Sequence, residues 1–221
     1  MTAISPSRYD EITIESSDGK FTTIDLRLGV ASFYYYEDLL SPTVTAQLVI
    51  VSAEGVVSNS DKTDKKESLY NGLPIRGGER VLIKIAGNSK VNKDGLDFSD
   101  RPSRYFYVGS VTNVLIDEGT ESFTLNLVSR ETITNETVKV GKKFPTSQKI
   151  SDTVENILKK YIKTDKEIIV DETQNPYGFI GNMKKPFTIL TWLASKSVSG
   201  ESKSSKDSSA GYVFYLSLIH I

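Results

Sequence analysis

The sequence predicts an α+β protein: an antiparallel β-barrel in the N-terminal part, followed by a mixed domain of helices and strands. Two patterns lead to this prediction. Before about residue 130, apolar and polar residues alternate, as in strands with one buried face. From Ile150, apolar residues recur at intervals of three and four, as in a helix with one apolar stripe. The segment 121–161 contains the change from one pattern to the other.

The first half of the chain reads as a series of short strands. Ile12 and Ile14 belong to the first strand, and 17–20 is predicted to be a turn because it contains Asp-Gly. Residues 24–30 form the next predicted strand, and 44–51 a later one after the break at Pro42. In the strand 24–30, we expect one face to carry Ile24, Leu26, Leu28 and Val30.

Four consecutive aromatic residues follow the strand 24–30. Neighbouring side chains of a strand point to opposite faces, so these four cannot all enter one core. We therefore expect at least one to face a neighbouring subunit. The alternative is a strand whose aromatic residues are covered by loops on both faces. The candidate subunit interface consists of Phe33, Tyr34, Tyr35 and Tyr36.

The strand pattern continues to about residue 130. Residues 52–79 are mostly a polar loop, and 81–85 alternate as a strand. The stretches 105–116 and 122–128 are predicted to pair as a hairpin around 117–120. Six or seven antiparallel strands in about 120 residues predict a barrel or a sandwich.

Helices and single strands are predicted in the second half. A helix covers about 147–162, with Ser147 or Ser151 as its N-cap, and a short strand follows at 167–170. Pro186 begins a second helix, because the first helical position does not need an N–H group. Its apolar side is predicted to include Phe187, Leu190, Ala194 and Val198. Residues 200–209 are predicted to be a flexible loop, and 212–215 another strand.

The bulk composition excludes several classes of protein. The formal net charge of the 221 residues is −1, so nothing indicates a nucleic-acid or anionic-membrane partner. The absence of cysteine excludes disulfides and thiolate chemistry. The N-terminus has no signal-peptide pattern, and no apolar run approaches the roughly 18 residues that span a bilayer. We expect a protein that is made in a cytoplasm and does not insert into a membrane.

No group of residues predicts catalysis. The single histidine, His220, is next to the end of the chain, so a triad or a His-ligated metal would depend on it. Asp152 and Glu155 are expected in the first turn of a helix, where carboxylates are favoured. Asp171 and Glu172 are neighbours at a strand end and should not converge. The sequence therefore predicts no catalytic, cofactor-binding or metal-binding residue, and a protein that is not an enzyme.

Two further features have ordinary structural explanations. Gly77-Gly78 lacks the strand and helix that flank a phosphate-binding loop, so we expect a turn. Trp192 lies on the apolar side of a predicted helix, so packing in the core is favoured over stacking on a sugar.

Several longer motifs resemble the baseplate hub protein of contractile-tailed phages. YEDLLSPTVTAQLVIVSAEG and LPIRGGERVLIKI resemble its first barrel. The stretch from FTLNLVSRETITNET to VENILKKY resembles the segment that joins this barrel to the next domain. NPYGFIGNMKKPFTILTWLASKS and GYVFY resemble the following helix and strand. The similarity covers about residues 12–215 in order.

The resemblance implies a structural role. Residues 1–130 would be a tube-like barrel domain, and 131–215 the start of a second α+β hub domain. Three copies would form a ring that joins the tail tube, or a tube-initiator protein, to the central spike. DNA would only pass through the channel of this ring. The expected location is the tail baseplate of a virion, after synthesis in the host cytoplasm, and no cofactor is implied.

The chain departs from the family pattern after the FYL motif. The family would continue into another tube-like barrel, whereas this chain ends in LSLIHI, a string that resembles translated sequencing-adapter read-through. This predicts an N-terminal fragment in which residues 216–221 are not native. Two alternatives remain from the sequence: a hub or spike module of a contractile secretion system, and a β-sandwich module that binds host-surface glycans.

Overall fold

The computed structural model describes residues 8–17, 23–53, 57–58, 66–67, 69–72, 75–88, 95–117, 119–200 and 211–218. They form two compact units. The first contains the described residues of Met1–Tyr36, Thr45–Ser129 and Leu218–Ile221, and the second those of Glu37–Val44 and Arg130–Ser217. The predicted α+β class is confirmed. The division into domains 1–130 and 131–215, with a tail of 216–221, stays a prediction.

The first unit is an antiparallel sheet. Its elements are β1 (Arg8–Glu15), β2 (Thr23–Asp25), β3 (Val30–Tyr36), β4 (Thr45–Ala53), β5 (Val57–Ser58), β6 (Lys66–Glu67), α1 (Leu69–Gly72), β7 (Arg80–Ala86), β8 (Leu96–Asp97), β9 (Phe106–Asp117) and β10 (Thr120–Ser129). The strand order is β2-β1-β7-β9-β10-β4-β3; β8 also pairs with β7, and β5 pairs with β6 separately. In the described part of the chain, no pairing joins β2 to β3, so the sheet is open.

The core of this unit lies on one face of the sheet, as the alternating pattern predicted. Opposite residues on β4 and β10, such as Leu48 and Leu125, are fully buried. The same holds for Ile12 on β1 and Ile83 on β7. The predicted strands 44–51 and 81–85 and the hairpin 105–128 are therefore confirmed.

The predicted single strand 24–30 is wrong. It is divided into β2 and β3 by a turn in which the N–H of Gly29 donates to the carbonyl of Leu26 at 2.9 Å. Leu26 is buried, but Leu28 is fully exposed and does not share its face. Asp25 accepts hydrogen bonds from both the backbone and the side chain of Arg27, which stabilises this turn.

The second unit is mainly helical. Its elements are α2 (Arg130–Thr137), β11 (Lys143–Phe144), α3 (Ile150–Ile157), a π-helical turn (Leu158–Ile162), β12 (Phe179–Ile180) and α4 (Pro186–Ala194). β11 and β12 pair as antiparallel strands. The core consists of Val140, Phe144, Ile150, Ile157, Leu158, Ile162, Phe187, Ile189, Leu190 and Leu193. Among the described helices, none is long and apolar enough to cross a bilayer.

Several predictions for this unit need correction. The predicted strands at 167–170 and 212–215 have no strand conformation, and Val198 lies beyond the end of α4. Helix α2 was not predicted, because its buried side chains are polar, Glu131 and Asn135. The predicted flexible loop 200–209 lies outside the described residues apart from Gly200.

Two residues of the predicted non-native tail are packed in the structure. Leu216 and Leu218 are both buried, and the non-native origin of 216–221 stays a prediction.

Helices α3 and α4 begin in the same unusual way. Each has a lysine at its N-cap, Lys149 and Lys185, and neither lysine side chain caps the helix. The free N–H groups bond instead to side chains far along the chain. Ser151 N–H donates to Thr173 Oγ1 at 3.0 Å, and Phe187 N–H donates to Asn135 Oδ1 at 2.8 Å. The predicted cap at Ser147 or Ser151 is therefore wrong.

Each capping residue has an acidic neighbour that holds the N-cap lysine. Lys149 pairs with Glu172, next to Thr173, and Lys185 pairs with Glu136, next to Asn135. Hydrogen bonds from Lys149 and Lys185 hold the pKa of the Glu172 and Glu136 carboxyls below the usual value. The starts of α3 and α4 are therefore each held by two adjacent residues of another segment: one caps the helix, and the other pairs with the N-cap lysine.

Candidate interaction surface

Four neighbouring strands of the sheet are almost free of charge. β3, β4, β9 and β10 contain only Asp117, at the hairpin end, and Glu121 as charged residues. Glu121 is buried, and its Oε1 accepts a hydrogen bond from Tyr70 N–H at 3.2 Å. The outward side of these strands, here named the uncharged face, consists of Ser32, Tyr34, Tyr36, Thr45, Gln47, Val49, Val51, Tyr107, Ser110, Thr112, Leu115, Ser122, Thr124, Asn126 and Val128.

Five polar side chains of the uncharged face bond to one another across the strands. Tyr36 Oη donates to Gln47 Oε1 at 3.3 Å, and Gln47 Nε2 donates to Asn126 Oδ1 at 3.0 Å. Asn126 Nδ2 in turn donates to Ser110 Oγ at 3.2 Å and Thr112 Oγ1 at 3.0 Å. Because these groups already have partners, covering them costs less than covering groups bonded only to water.

The candidate aromatic residues divide between the two faces of β3. Phe33 and Tyr35 lie opposite Leu48 and Ala46, on the core side. Tyr35 stacks on Phe98 with ring centroids 5.4 Å apart, so it belongs to the aromatic core. Tyr34 and Tyr36 lie opposite Gln47 and Thr45 on the uncharged face. Their relative exposures are 49% and 48%. The interface role of residues 33–36 stays a prediction, and only these two rings are well exposed.

Part of β9 is an edge of the sheet and, like the uncharged face, carries no charged residue before Asp117. Its last bonds toward β7 are at Val108, whose carbonyl accepts from Gly78 N–H and whose N–H donates to the Glu79 carbonyl. Beyond Val108, none of the described strands pairs with β9 on that side. This part of β9 exposes Val114, Leu115 and Ile116. Asn113, with φ +54°, forms a bulge opposite β10 there.

The remaining half of the sheet has the opposite character. Ion pairs join β7 to β1 and β8: Arg80 to Glu15 at 2.7 Å, and Lys84 to Asp97 at 2.9 Å. Burial raises the pKa of the Asp97 carboxyl, but hydrogen bonds from Lys84 and Ser99 outweigh it and lower the pKa to about 2. One sheet therefore combines a charged half with an uncharged half. Protein interfaces are depleted of charged residues at their centres and enriched in tyrosine, as the uncharged half is.

Each of the two candidate carboxylate pairs has one member in an ion pair. Asp152 is exposed in the first turn of α3, and Glu155 pairs with Lys159 one turn further on. Glu172 pairs with Lys149, as described above. In the described ranges, no three His, Cys, Asp or Glu side chains cluster in a way that could hold a metal ion. His220 lies outside these ranges.

The glycine pair forms a turn, as predicted. Gly77 and Gly78 have φ values of +100° and +89°, which favour glycine. The N–H groups of Arg76 and Gly77 donate to the buried carboxylate of Glu79 at 2.8 and 3.0 Å. A side chain of the protein therefore occupies the position that an anion would need.

Trp192 lies at the rim of the core rather than inside it. It is 37% exposed. It makes edge-to-face contacts with Tyr177 and Phe179, each with ring centroids 5.4 Å apart. The prediction of core packing is thus only partly right.

One buried ion pair was missed by sequence reasoning. Lys166 Nζ lies 2.6 Å from Glu131 Oε2, and their side chains are 12% and 3% exposed. Burial lowers the pKa of Lys166, because the charged ammonium is removed from water. The residues are 35 positions apart, and neither belongs to a recognisable motif, so no sequence signal connects them.

Comparisons with known proteins identify the fold. No protein-family model matches the chain, and no curated protein matches it. The chain is similar to the crystal structure of the 43 kDa tail protein of prophage MuSo2 from Shewanella oneidensis. The TM-score is 0.53, the identity is 13%, and the match covers 88% of this chain and 50% of that one. This chain therefore has the fold of a phage tail protein and spans about half of its length.

A second solved structure is similar over the same extent. It is the tail protein from Neisseria meningitidis MC58, with 11% identity and a TM-score of 0.47. The match covers 87% of this chain and 47% of that protein.

Proposed function

We propose that this chain is a structural component of a phage tail, located in the baseplate of the virion. Three copies form the central hub ring that joins the tail tube, or a tube initiator, to the spike and leaves a channel for DNA. The observation that carries the proposal is the fold shared with a phage tail protein over 88% of the chain. The hub-like motifs along residues 12–215 agree with this fold. The role requires assembly and no catalytic chemistry.

In this proposal the open sheet becomes part of a barrel-like wall. A closed ring needs heterologous contacts, in which one surface of each subunit meets a different surface of the next. The sheet offers suitable material, because its edge strand β3 carries the half-exposed rings of Tyr34 and Tyr36. A ring contact at β3 covers these rings and the exposed edge of the strand.

Analytical ultracentrifugation across a concentration series tests the ring. We expect the wild-type chain to form trimers, and a variant with Tyr34→Ser and Tyr36→Ser to sediment as a monomer. Tyr215→Ser is the matched control, because Tyr215 is 44% exposed and lies in the other unit. A wild-type chain that remains a monomer at high micromolar concentration, and binds neither tube nor spike proteins of its own virus, contradicts the proposal.

Two other functions use the same surfaces. A hub or spike module of a contractile secretion system has the same physical requirements, and neighbouring genes distinguish it from a virion protein. A glycan-binding module is favoured by one observation: Tyr34 and Tyr36 lie on the same face of β3. Glycan binding that is lost in the Tyr34→Ser, Tyr36→Ser variant, in a wild-type chain that stays monomeric, supports this alternative.

A further inference from the structure

We propose that the open edge of β9 beyond Val108 receives strand β3 of the next copy, which extends the uncharged face from one subunit to another. This inference rests on the proposed ring and identifies the two surfaces that meet in it. It follows from the chemistry and the lengths of two edges that lie at opposite sides of the same four-stranded region.

The two edges have comparable lengths. β3 contains seven residues, Val30–Tyr36. The open part of β9 is the stretch from Gly109 to Ile116, in which Asn113 forms the bulge. At about 3.3 Å per residue, each edge is long enough for a stable strand pairing. The bulge divides the open part of β9, so the added strand pairs on both sides of Asn113.

Neither edge has the charge or the proline that commonly protects an exposed edge, although β9 carries the bulge at Asn113. Apart from bulges, exposed edges are protected by lysine and other charged residues and by proline. β3 reads VASFYYY, and β9 reads GSVTNVLI from Gly109 to Ile116, so both lack all of these. The far end of the same sheet is different, because β2 carries Asp25, which pairs with Arg27. An edge in contact with water gains nothing from being uncharged, whereas an edge that is covered avoids the desolvation of charges.

The side chains of the two edges suit one another. On the uncharged face, β3 presents Tyr34 and Tyr36, and β9 presents Ser110, Thr112 and Leu115. Aromatic residues beside β-branched or aliphatic residues form favourable cross-strand pairs, and the small residues leave room for the rings. The hydrogen-bonded row from Tyr36 through Gln47 and Asn126 to Thr112 then ends beside the tyrosines of the next copy.

The use of two different edges determines the kind of assembly. A contact of β3 with β3, or of β9 with β9, is isologous and stops at a dimer. A contact of β3 with β9 leaves one open edge at each end of every intermediate and can close into a ring. A second copy of this chain is therefore the occupant that both edges fit.

The test uses two variants of the full chain, each with lysines on one edge. The first carries Tyr34→Lys and Tyr36→Lys, and the second carries Leu115→Lys and Ile116→Lys. The relative exposures of Leu115 and Ile116 are 69% and 61%, so their replacement should not disturb the fold. Thr13→Lys, on the charged half, is the control, and far-UV circular dichroism verifies folding of all variants.

Sedimentation velocity of the separate and mixed variants gives the result. We expect each edge variant alone to be a monomer, and an equimolar mixture to form a 1:1 heterodimer of twice the monomer mass. The reason is that the mixture restores one intact β3–β9 junction and no second one. The Thr13→Lys control should form trimers like the wild type.

Other outcomes overturn the inference in distinguishable ways. If the Leu115→Lys, Ile116→Lys variant still forms trimers, β9 is not the receiving edge, although the ring itself stands. A mixture that stays monomeric while both variants are folded excludes the β3–β9 junction. Homodimers of one variant alone indicate an isologous contact. If the wild-type chain is a monomer throughout, the proposed ring and this inference fail together.

Discussion

The two units of the chain hold their elements in place by different means. In the sheet unit, neighbouring strands bury apolar residues that alternate along each strand, such as Leu48 and Leu125. In the helical unit, buried polar side chains cap or pair with segments that are distant in sequence. Asn135 caps a helix 52 positions away, and Thr173 one that is 22 positions away. Apolar alternation is visible in a sequence, whereas a capping partner that comes from another segment is not.

The largest effect should come from the apolar core of the sheet unit. Phe123 is almost completely buried on β10, so Phe123→Ala should lower the free energy of unfolding by about 3–5 kcal/mol. Leu28→Ala is the control and should change it by less than about 0.5 kcal/mol, because Leu28 is fully exposed. Urea unfolding followed by circular dichroism measures both. Equal effects would show that Phe123 does not belong to a packed core.

The buried ion pair should have the next largest effect. Lys166→Ala leaves the carboxylate of Glu131 buried without its charged partner, so the free energy of unfolding of the helical unit should fall by about 3 kcal/mol. Trp192 is the only tryptophan and lies in this unit, so its fluorescence reports the unfolding of the unit directly. Lys160→Ala, at an exposed position, is the control.

Replacement of both partners sharpens this prediction. Lys166→Met combined with Glu131→Leu removes both charges and keeps similar volumes, so it should be less destabilising than Lys166→Ala alone. Should Lys166→Ala match the Lys160→Ala control instead, the pair does not hold α2 to the segment that follows the π-helical turn.

The same contrast explains what could be predicted from the sequence. The strands β1, β4, β7, β9 and β10 and the start of α4 at Pro186 follow from local patterns, and they were predicted correctly. Helix α2 was missed because its buried side chains, Glu131 and Asn135, are polar. The strand 24–30 was predicted as continuous because Leu28 matches the alternation, although the turn to Gly29 exposes it.

The candidate surface could be predicted only in part. The aromatic run 33–36 drew attention to β3, and the period of two implied that its rings divide between two faces. The strand order, by contrast, is a long-range property. Without it, nothing in the sequence indicates that β3, β4, β10 and β9 are adjacent, or that their outward residues together form an uncharged face. The open edge of β9 is invisible for the same reason.

The helix caps should have an intermediate effect. Asn135→Ala removes the acceptor for Phe187 N–H at the start of α4 and should lower the stability of the helical unit by about 1–2 kcal/mol. Asn135→Asp keeps an acceptor at this position and should recover most of the loss. Trp192 fluorescence during urea unfolding measures both variants. A full loss in the Asp variant would mean that packing of Asn135, rather than capping, is responsible.

The smallest effect should come from the ion pair of Lys84 and Asp97 on the surface of the sheet unit. The pKa of Asp97 is lowered from 3.8 to about 2, so its charged form is favoured in the folded state. A lowered pKa contributes stability above pH 4, and this contribution is lost as the pH falls toward 2. Because the side chains of Lys84 and Asp97 are 47% and 31% exposed, solvent screening limits the contribution to less than about 1 kcal/mol.

The difference in unfolding free energy between the wild type and Asp97→Asn should therefore be small at pH 5 and close to zero near pH 2. Thr112→Ala, on the uncharged face, should cost the same at both pH values, since no group in its contact with Asn126 titrates. A loss of unfolding free energy in Asp97→Asn that does not change with pH would mean that the hydrogen bonds Asp97 accepts from Ser99, rather than its charge, stabilise β8. The contrast between surface and buried ion pairs would then rest on Lys166 alone.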